Sequence, residues 1–144
     1  MPPYSIVLDP LWAPLVAAAV AVRANAHAPY SKYLVGAALA CDDDTIVTGC
    51  NVENASYGAT ICAERNAVLH AVATGRRVFL ACVVVTQGGE PAFPCGMCRQ
   101  VLAEFAQDLP ILLVAGAGSG TRKLVRLAEI FPGSFGKDDL VRST

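Results

Sequence analysis

The chain has 144 residues, 54% of them hydrophobic and 16% charged, with a formal net charge of −1 at pH 7. That length suits a single domain over residues 1–144, and the low charged share predicts that part of its apolar surface is buried between copies of the chain. No run of Lys or Arg exceeds two and the pI is near 6.1, which argues against a polynucleotide partner, since phosphate-backbone affinity needs a clustered basic surface.

At the N-terminus, Asp9 and Pro10 suit the cap and first position of a helix that runs from Leu11 to about Ala26. Its apolar stretch, Leu11 to Val22, has the outline of a signal sequence, but no Lys or Arg precedes Arg23. It is also shorter than the roughly 20 residues that a membrane-spanning helix requires. A cytoplasmic protein with no membrane partner is expected. In that compartment its six cysteines, Cys41, Cys50, Cys62, Cys82, Cys95 and Cys98, stay reduced and favour a metal over disulfides.

Leu34 to Ala40 and Thr45 to Val52 read as two strands joined by the acidic turn Asp42-Asp43-Asp44. A helix follows from about Cys62 to Ala73, with Thr74-Gly75 as its stop. Val78 to Val85 is a buried strand, Gln87 to Pro94 a loop, and a helix runs from near Gly96 to about Ala106. Ile111 to Ala115 is a further strand, Gly116 to Gly120 a turn, Lys123 to Arg126 a last short strand, and Ile130 to Leu140 an irregular tail. The alternation predicts a layered α/β domain with helices on both faces of a central sheet.

The chemistry is concentrated in Cys62-Ala63-Glu64 and, downstream, Pro94-Cys95-Gly96-Met97-Cys98. All three cysteines fall at predicted helix starts, where unpaired N–H groups and the positive dipole end favour thiolates. Three thiolates leave a tetrahedral zinc one ligand short, and Glu64 is well placed to work on water in the open position. Three thiolates and Zn²⁺ sum to −1, and Arg65, donating to a sulfur, is the natural offset. A redox Cys-x-x-Cys pair has no need for a distant Cys-x-Glu. A closed structural site, which would make the chain a binding module, needs a fourth ligand. His70 is a poor one, since it lies roughly 12 Å beyond Cys62 along a helix axis. His70 and His27 therefore read as structural or surface residues, and Cys41, Cys50 and Cys82 as small apolar strand residues.

Cys62-Ala63-Glu64-Arg65 followed by Pro94-Cys95-Gly96-Met97-Cys98-Arg99-Gln100 resembles the small homotetrameric zinc-dependent cytidine deaminases. Pro29-Tyr30-Ser31-Lys32-Tyr33, Val35-Gly36-Ala37-Ala38-Leu39, Gly49 to Tyr57 and Phe131-Pro132-Gly133-Ser134-Phe135 resemble family stretches in the same order. The resemblance implies a three-layer α/β/α sandwich with a five-stranded mixed sheet, and a homotetramer. It also implies hydrolytic deamination of cytidine or deoxycytidine to uridine or deoxyuridine plus ammonia, in pyrimidine salvage. Carried over residue by residue, it makes Cys62, Cys95 and Cys98 the zinc ligands and Glu64 the proton shuttle. Asn51 and Glu53 would hold the sugar hydroxyls, Ala63 would touch substrate, and Tyr57 and Phe135 would reach a neighbouring subunit's pocket. Tyr33 stands where the family usually has a phenylalanine packed on the pyrimidine. That departure keeps open an alternative substrate, a modified cytosine nucleoside or an antibiotic of the blasticidin type.

Overall fold

Strands that carry apolar residues on both sides need cover on both faces, and the computed structural model, which describes residues 10–141, provides it. In chain order the elements are α1 (Trp12–Arg23), β1 (Gly36–Cys41), β2 (Ile46–Cys50), α2 (Ala63–Ala73), β3 (Phe79–Val85), α3 (Gly96–Phe105), β4 (Pro110–Val114), β5 (Arg122–Arg126), α4 (Leu127–Ile130) and α5 (Lys137–Val141). The sheet order is β2-β1-β3-β4-β5. Only β3 and β4 run parallel; the other neighbouring pairs are antiparallel, so the sheet is mixed. α3 makes the crossover between the parallel pair, as such a connection requires.

Alternate residues of the central strands feed two separate cores. Ala38, Ala40, Ala81, Val83, Val85, Leu112 and Val114 pack with Trp12, Leu15, Val16 and Ala19 of α1 on one face. Ala37, Leu39, Cys41, Cys82, Val84, Ile111 and Leu113 pack on the other face with Ala63, Ala67, Val68 and Ala71 of α2 and with Leu102 and Ala103 of α3. The expected α/β/α layering is therefore present.

Two glycines set how closely the helices approach. A Cβ on Gly36 would sit 2.0 Å from the carbonyl oxygen of Ala19 in α1, and one on Gly49 would sit 2.3 Å from the amide nitrogen of Ala67 and 2.6 Å from the carbonyl oxygen of Ala63 in α2. Without side chains at these positions, α1 presses on β1 and the first turns of α2 press on β2.

Several expected boundaries shift. α1 ends at Arg23 and not near Ala26, because Asn25 and Ala26 close single turns onto Val22 and Arg23 and the His27 amide bonds to Asn51 O. Asp9, the expected cap, lies outside the described residues. The first hairpin is shorter than the apolar runs predict. Leu34 and Val35 precede β1, while Asn51 and Val52 follow β2, where Val52 makes isolated bridges to His27 and Ile61. The tail was expected to be irregular, yet it contains α5; Asp139 accepts a 2.8 Å bond from the Gly136 amide and anchors that turn. Among the described residues no helix is long and apolar enough to cross a membrane.

Candidate metal centre and substrate pocket

α2 and α3 both begin with a cysteine at the cap position. Cys62 (φ −69°, ψ 157°) and Cys95 (φ −65°, ψ 167°) are extended, so each helix starts one residue after its first sulfur. Cys98 follows within the first turn of α3 and is buried. The contact between α2 and α3 brings the two segments together. Cys62 Sγ lies 3.7 Å from Cys95 Sγ, which lies 3.5 Å from Cys98 Sγ, and all three sulfurs fall within 4.8 Å of one another.

These separations fit zinc, because Zn–S bonds of about 2.3 Å at tetrahedral angles hold sulfurs about 3.8 Å apart. They are far too long for a disulfide, and all three thiols are free. His70 is not part of the cluster: its Nδ1 lies 3.0 Å from Thr48 O on β2. Cys41 and Cys82 are buried in the core and Cys50 is half-buried, and burial pushes the Cys82 thiol up.

Glu64 occupies the second position of α2, only 7% exposed, and its Oε2 accepts a 3.4 Å contact from Cys98 Sγ. Burial raises its pKa above the usual carboxylate range, and the neighbouring Cys62 adds to the shift. A carboxyl whose pKa is raised by burial is better suited to take up and return a proton than a solvated one. Hydrogen bonding from the Cys98 thiol, with help from Arg65 and Cys95, lowers Cys62 to about 5 despite its partial burial. The same pairing pushes Cys98 up. Arg65 Nη2 lies 3.7 Å from Cys62 Sγ and 3.3 Å from Thr60 O, while its buried Nε has no hydrogen-bond partner among the described residues. The guanidinium thus lies against the sulfur cluster.

A cavity of about 330 Å³ opens over this group. Tyr33, Asn51, Glu53, Cys62, Ala63, Glu64 and Cys95 all line it, so seven of the residues singled out in the sequence converge on one space. Asn51 and Glu53 lie just beyond β2 and face the irregular segment before β1. Asn51 Nδ2 donates to Tyr33 O at 2.7 Å and its Oδ1 accepts from the Val35 amide at 2.8 Å. Glu53 Oε1 accepts from the amides of Tyr30 and Ser31 at 3.0 and 3.1 Å, and its Oε2 accepts from Ser31 Oγ. These two side chains therefore serve as supports for the pocket wall.

Tyr57 and Phe135 lie outside this cavity. Tyr57 is 75% exposed, stacks edge-on with Tyr30 at 5.8 Å and borders a neighbouring cavity with Tyr30, Ser31, Glu53 and Thr60. Phe135 is 57% exposed, and its carbonyl accepts a 2.9 Å bond from Gln100 Nε2.

Sequence reasoning missed Phe93 and Thr86 as lining residues. Phe93 lies under the Lys123 ammonium at 5.2 Å. Thr86 is buried, and its hydroxyl has no partner among the described residues. Extending the alternation of Cys82 and Val84 by one step would have placed Thr86 on the α2–α3 side of the sheet.

The family described as the cytidine and deoxycytidylate deaminase zinc-binding region matches residues 13–112. A cytidine deaminase of Sporosarcina psychrophila is 46% identical over 127 residues, covering 88% of this chain and 92% of that protein. The crystal structure of a cytidine deaminase from Burkholderia pseudomallei superposes with a TM-score of 0.81 at 42% identity, covering 85% of this chain and 98% of the other. A blasticidin-S deaminase of Bacillus cereus is more distant, 30% identical over 91 residues that cover 58% of this chain.

Proposed function

This chain belongs to the cytidine and deoxycytidylate deaminase family, and we propose that it is a zinc enzyme that hydrolyses cytidine and deoxycytidine to uridine and deoxyuridine with release of ammonia. The observation that carries this reading is the convergence of three sulfurs from two helix starts beside the buried carboxyl of Glu64, at the base of a nucleoside-sized cavity.

Cys62, Cys95 and Cys98 would hold the metal. When bound, zinc supplies a Lewis acid that lowers the pKa of a coordinated water. Glu64 takes the proton from the attacking water and delivers it to N3 of the pyrimidine as the oxygen adds to C4. It then takes the proton of the new C4 hydroxyl and passes it to the exocyclic nitrogen, the C4–N bond breaks with release of ammonia, and C4 keeps the oxygen as a carbonyl. Burial suits Glu64 to this work, since a raised pKa lets one group act as base and then as acid within a turnover. Arg65 offsets the charge of the three thiolates. Tyr33 packs on the base and Ala63 lines the floor. Asn51 and Glu53 fix the wall and offer polar atoms toward the sugar.

The working form is a homotetramer in the cytoplasm, serving pyrimidine salvage with free nucleosides and no polynucleotide. The exposed rings of Tyr57 and Phe135 support association, because large aromatic surfaces left bare on one chain suit burial against another. Cytidine turnover followed by loss of ultraviolet absorbance, with zinc measured on the same sample, tests the reading. One zinc per chain, and activity that a chelator removes and zinc restores, are expected. Turnover unaffected by metal removal, or a zinc protein inert toward both nucleosides, would sink it.

A further inference from the structure

The wall that carries Tyr33 is an irregular segment, so its backbone polar groups must find partners outside a helix or sheet. They find side chains. Asn51 binds Tyr33 O, as described, and the Tyr33 amide donates to Ser31 Oγ at 3.0 Å. The remaining polar atoms of the two peptide groups that flank Tyr33, Lys32 O and the Leu34 amide, are both held by one residue outside the pocket, Gln87. Its Nε2 donates to Lys32 O at 3.1 Å and its Oε1 accepts from the Leu34 amide at 3.1 Å. Arg23, the last residue of α1, donates from Nη2 to the same Oε1 at 2.9 Å and from Nε to Leu34 O at 2.9 Å.

Gln87 lies just beyond β3 and does not line the cavity. Its amide nevertheless grips the chain immediately before and after the ring-bearing residue, with Arg23 fixing the amide's orientation. Lys32 adopts φ +61°, a left-handed conformation that costs energy for a residue with a Cβ and persists only where the surroundings impose it. The bond from Gln87 to Lys32 O is one of those constraints.

We propose that Gln87, oriented by Arg23, is a positioning residue that sets the place of Tyr33 against the base and thereby governs substrate affinity and not the chemical step. This rests on the reading of Tyr33 as the surface that packs on the base. The clamp acts on binding because nothing in it reaches Glu64 or the sulfurs.

The test is a double-mutant cycle on the zinc-loaded enzyme with Gln87→Ala, Tyr33→Ala and the pair. Gln87→Ala should raise KM for cytidine about tenfold while kcat stays within about twofold, with zinc content unchanged. In the Tyr33→Ala background the same substitution should raise KM no further, since the ring it positions is gone. Gln87→Glu keeps both acceptor bonds but sets a carboxylate oxygen against Lys32 O where the donor stood, so its KM should rise as well. Amide hydrogen exchange at Tyr33 and Leu34, measured without substrate, should quicken in Gln87→Ala.

If Tyr33→Ala raises KM and Gln87→Ala does not, the clamp is wrong and the wall reading stands. If Tyr33→Ala leaves KM unchanged, the wall reading fails and takes the clamp with it. An equal effect of Gln87→Ala in both backgrounds, a fall in kcat at constant KM, or unaltered exchange would each overturn the proposal.

Discussion

Around Cys62, Glu64 and Cys95 the backbone is held by helix hydrogen bonds, whereas around Tyr33 it is held by side chains from Asn51, Gln87 and Arg23. The first side of the pocket is rigid by construction, because a sulfur at a cap and a carboxyl two residues on share a short stretch of chain. The second depends on residues up to 64 positions apart that arrive from three elements. The difference separates tasks. Atoms that move protons and hold metal need fixed spacing to fractions of an ångström, while a surface that packs on a flat base tolerates a supported loop.

The largest effects should come from the rigid side. Glu64→Gln keeps the shape of the carboxyl but removes its proton transfer, so kcat should drop by about 10²–10⁴ while zinc content, measured by metal analysis, stays at the wild-type level. Arg65→Gln leaves the sulfurs in place and removes the charge beside Cys62. A loss of roughly 10–100-fold in zinc affinity or activity is expected, as for other partners of metal ligands. Competition with a chelating dye measures the first and turnover the second; a variant normal in both would show that the thiolate charge is offset elsewhere.

The same contrast explains what could be read in the chain. Cys62-x-Glu64 and Cys95-x-x-Cys98 lie within single helix starts, so spacing alone carried their geometry, and the apolar runs that became β3 and β4 were visible for the same local reason. Gln87 had no local signal. It is one polar residue at the start of a Gly- and Pro-containing loop, and its partners at 23, 32 and 34 are set by tertiary packing. The tail differs from its reading for a similar reason, since Pro132 and Gly133 suggest irregular chain while Asp139 anchors a short helix behind them.

The two close-approach glycines offer a control within the fold. Gly36→Ala and Gly49→Ala each force a methyl into helix backbone, and overpacking of this kind costs about 1–3 kcal/mol. Thermal or denaturant unfolding should show both to be destabilised. The obstructed atoms at Gly49 belong to Ala63 and Ala67, on either side of Glu64, whereas those at Gly36 belong to Ala19 and Arg23 of α1, on the opposite face. At saturating cytidine, kcat of the folded protein should therefore fall in Gly49→Ala and persist in Gly36→Ala, where displacement of Arg23 should show only in KM. Equal losses would mean that the sheet transmits strain to both faces alike, and that the rigid side of the pocket owes its precision to the whole sandwich.

The smallest effect is expected on the supported side, from pH. Hydrogen bonds from Ser31, its side chain first and then its amide, lower the Glu53 pKa below the ordinary glutamate value, with the Tyr30 amide adding to the shift. A carboxylate whose folded pKa is depressed binds protons more readily when unfolded. Its contribution to stability is thus complete above the unfolded value, about 4.3, and is lost as pH falls through the folded value. Glu53→Gln has no charge to titrate. The gap in melting temperature between wild type and Glu53→Gln should be constant near neutrality and narrow below about pH 4. A gap that stays constant to acid pH would show that the Tyr30–Ser31 turn is held by its backbone alone, and that the carboxylate's work lies wholly with the ligand.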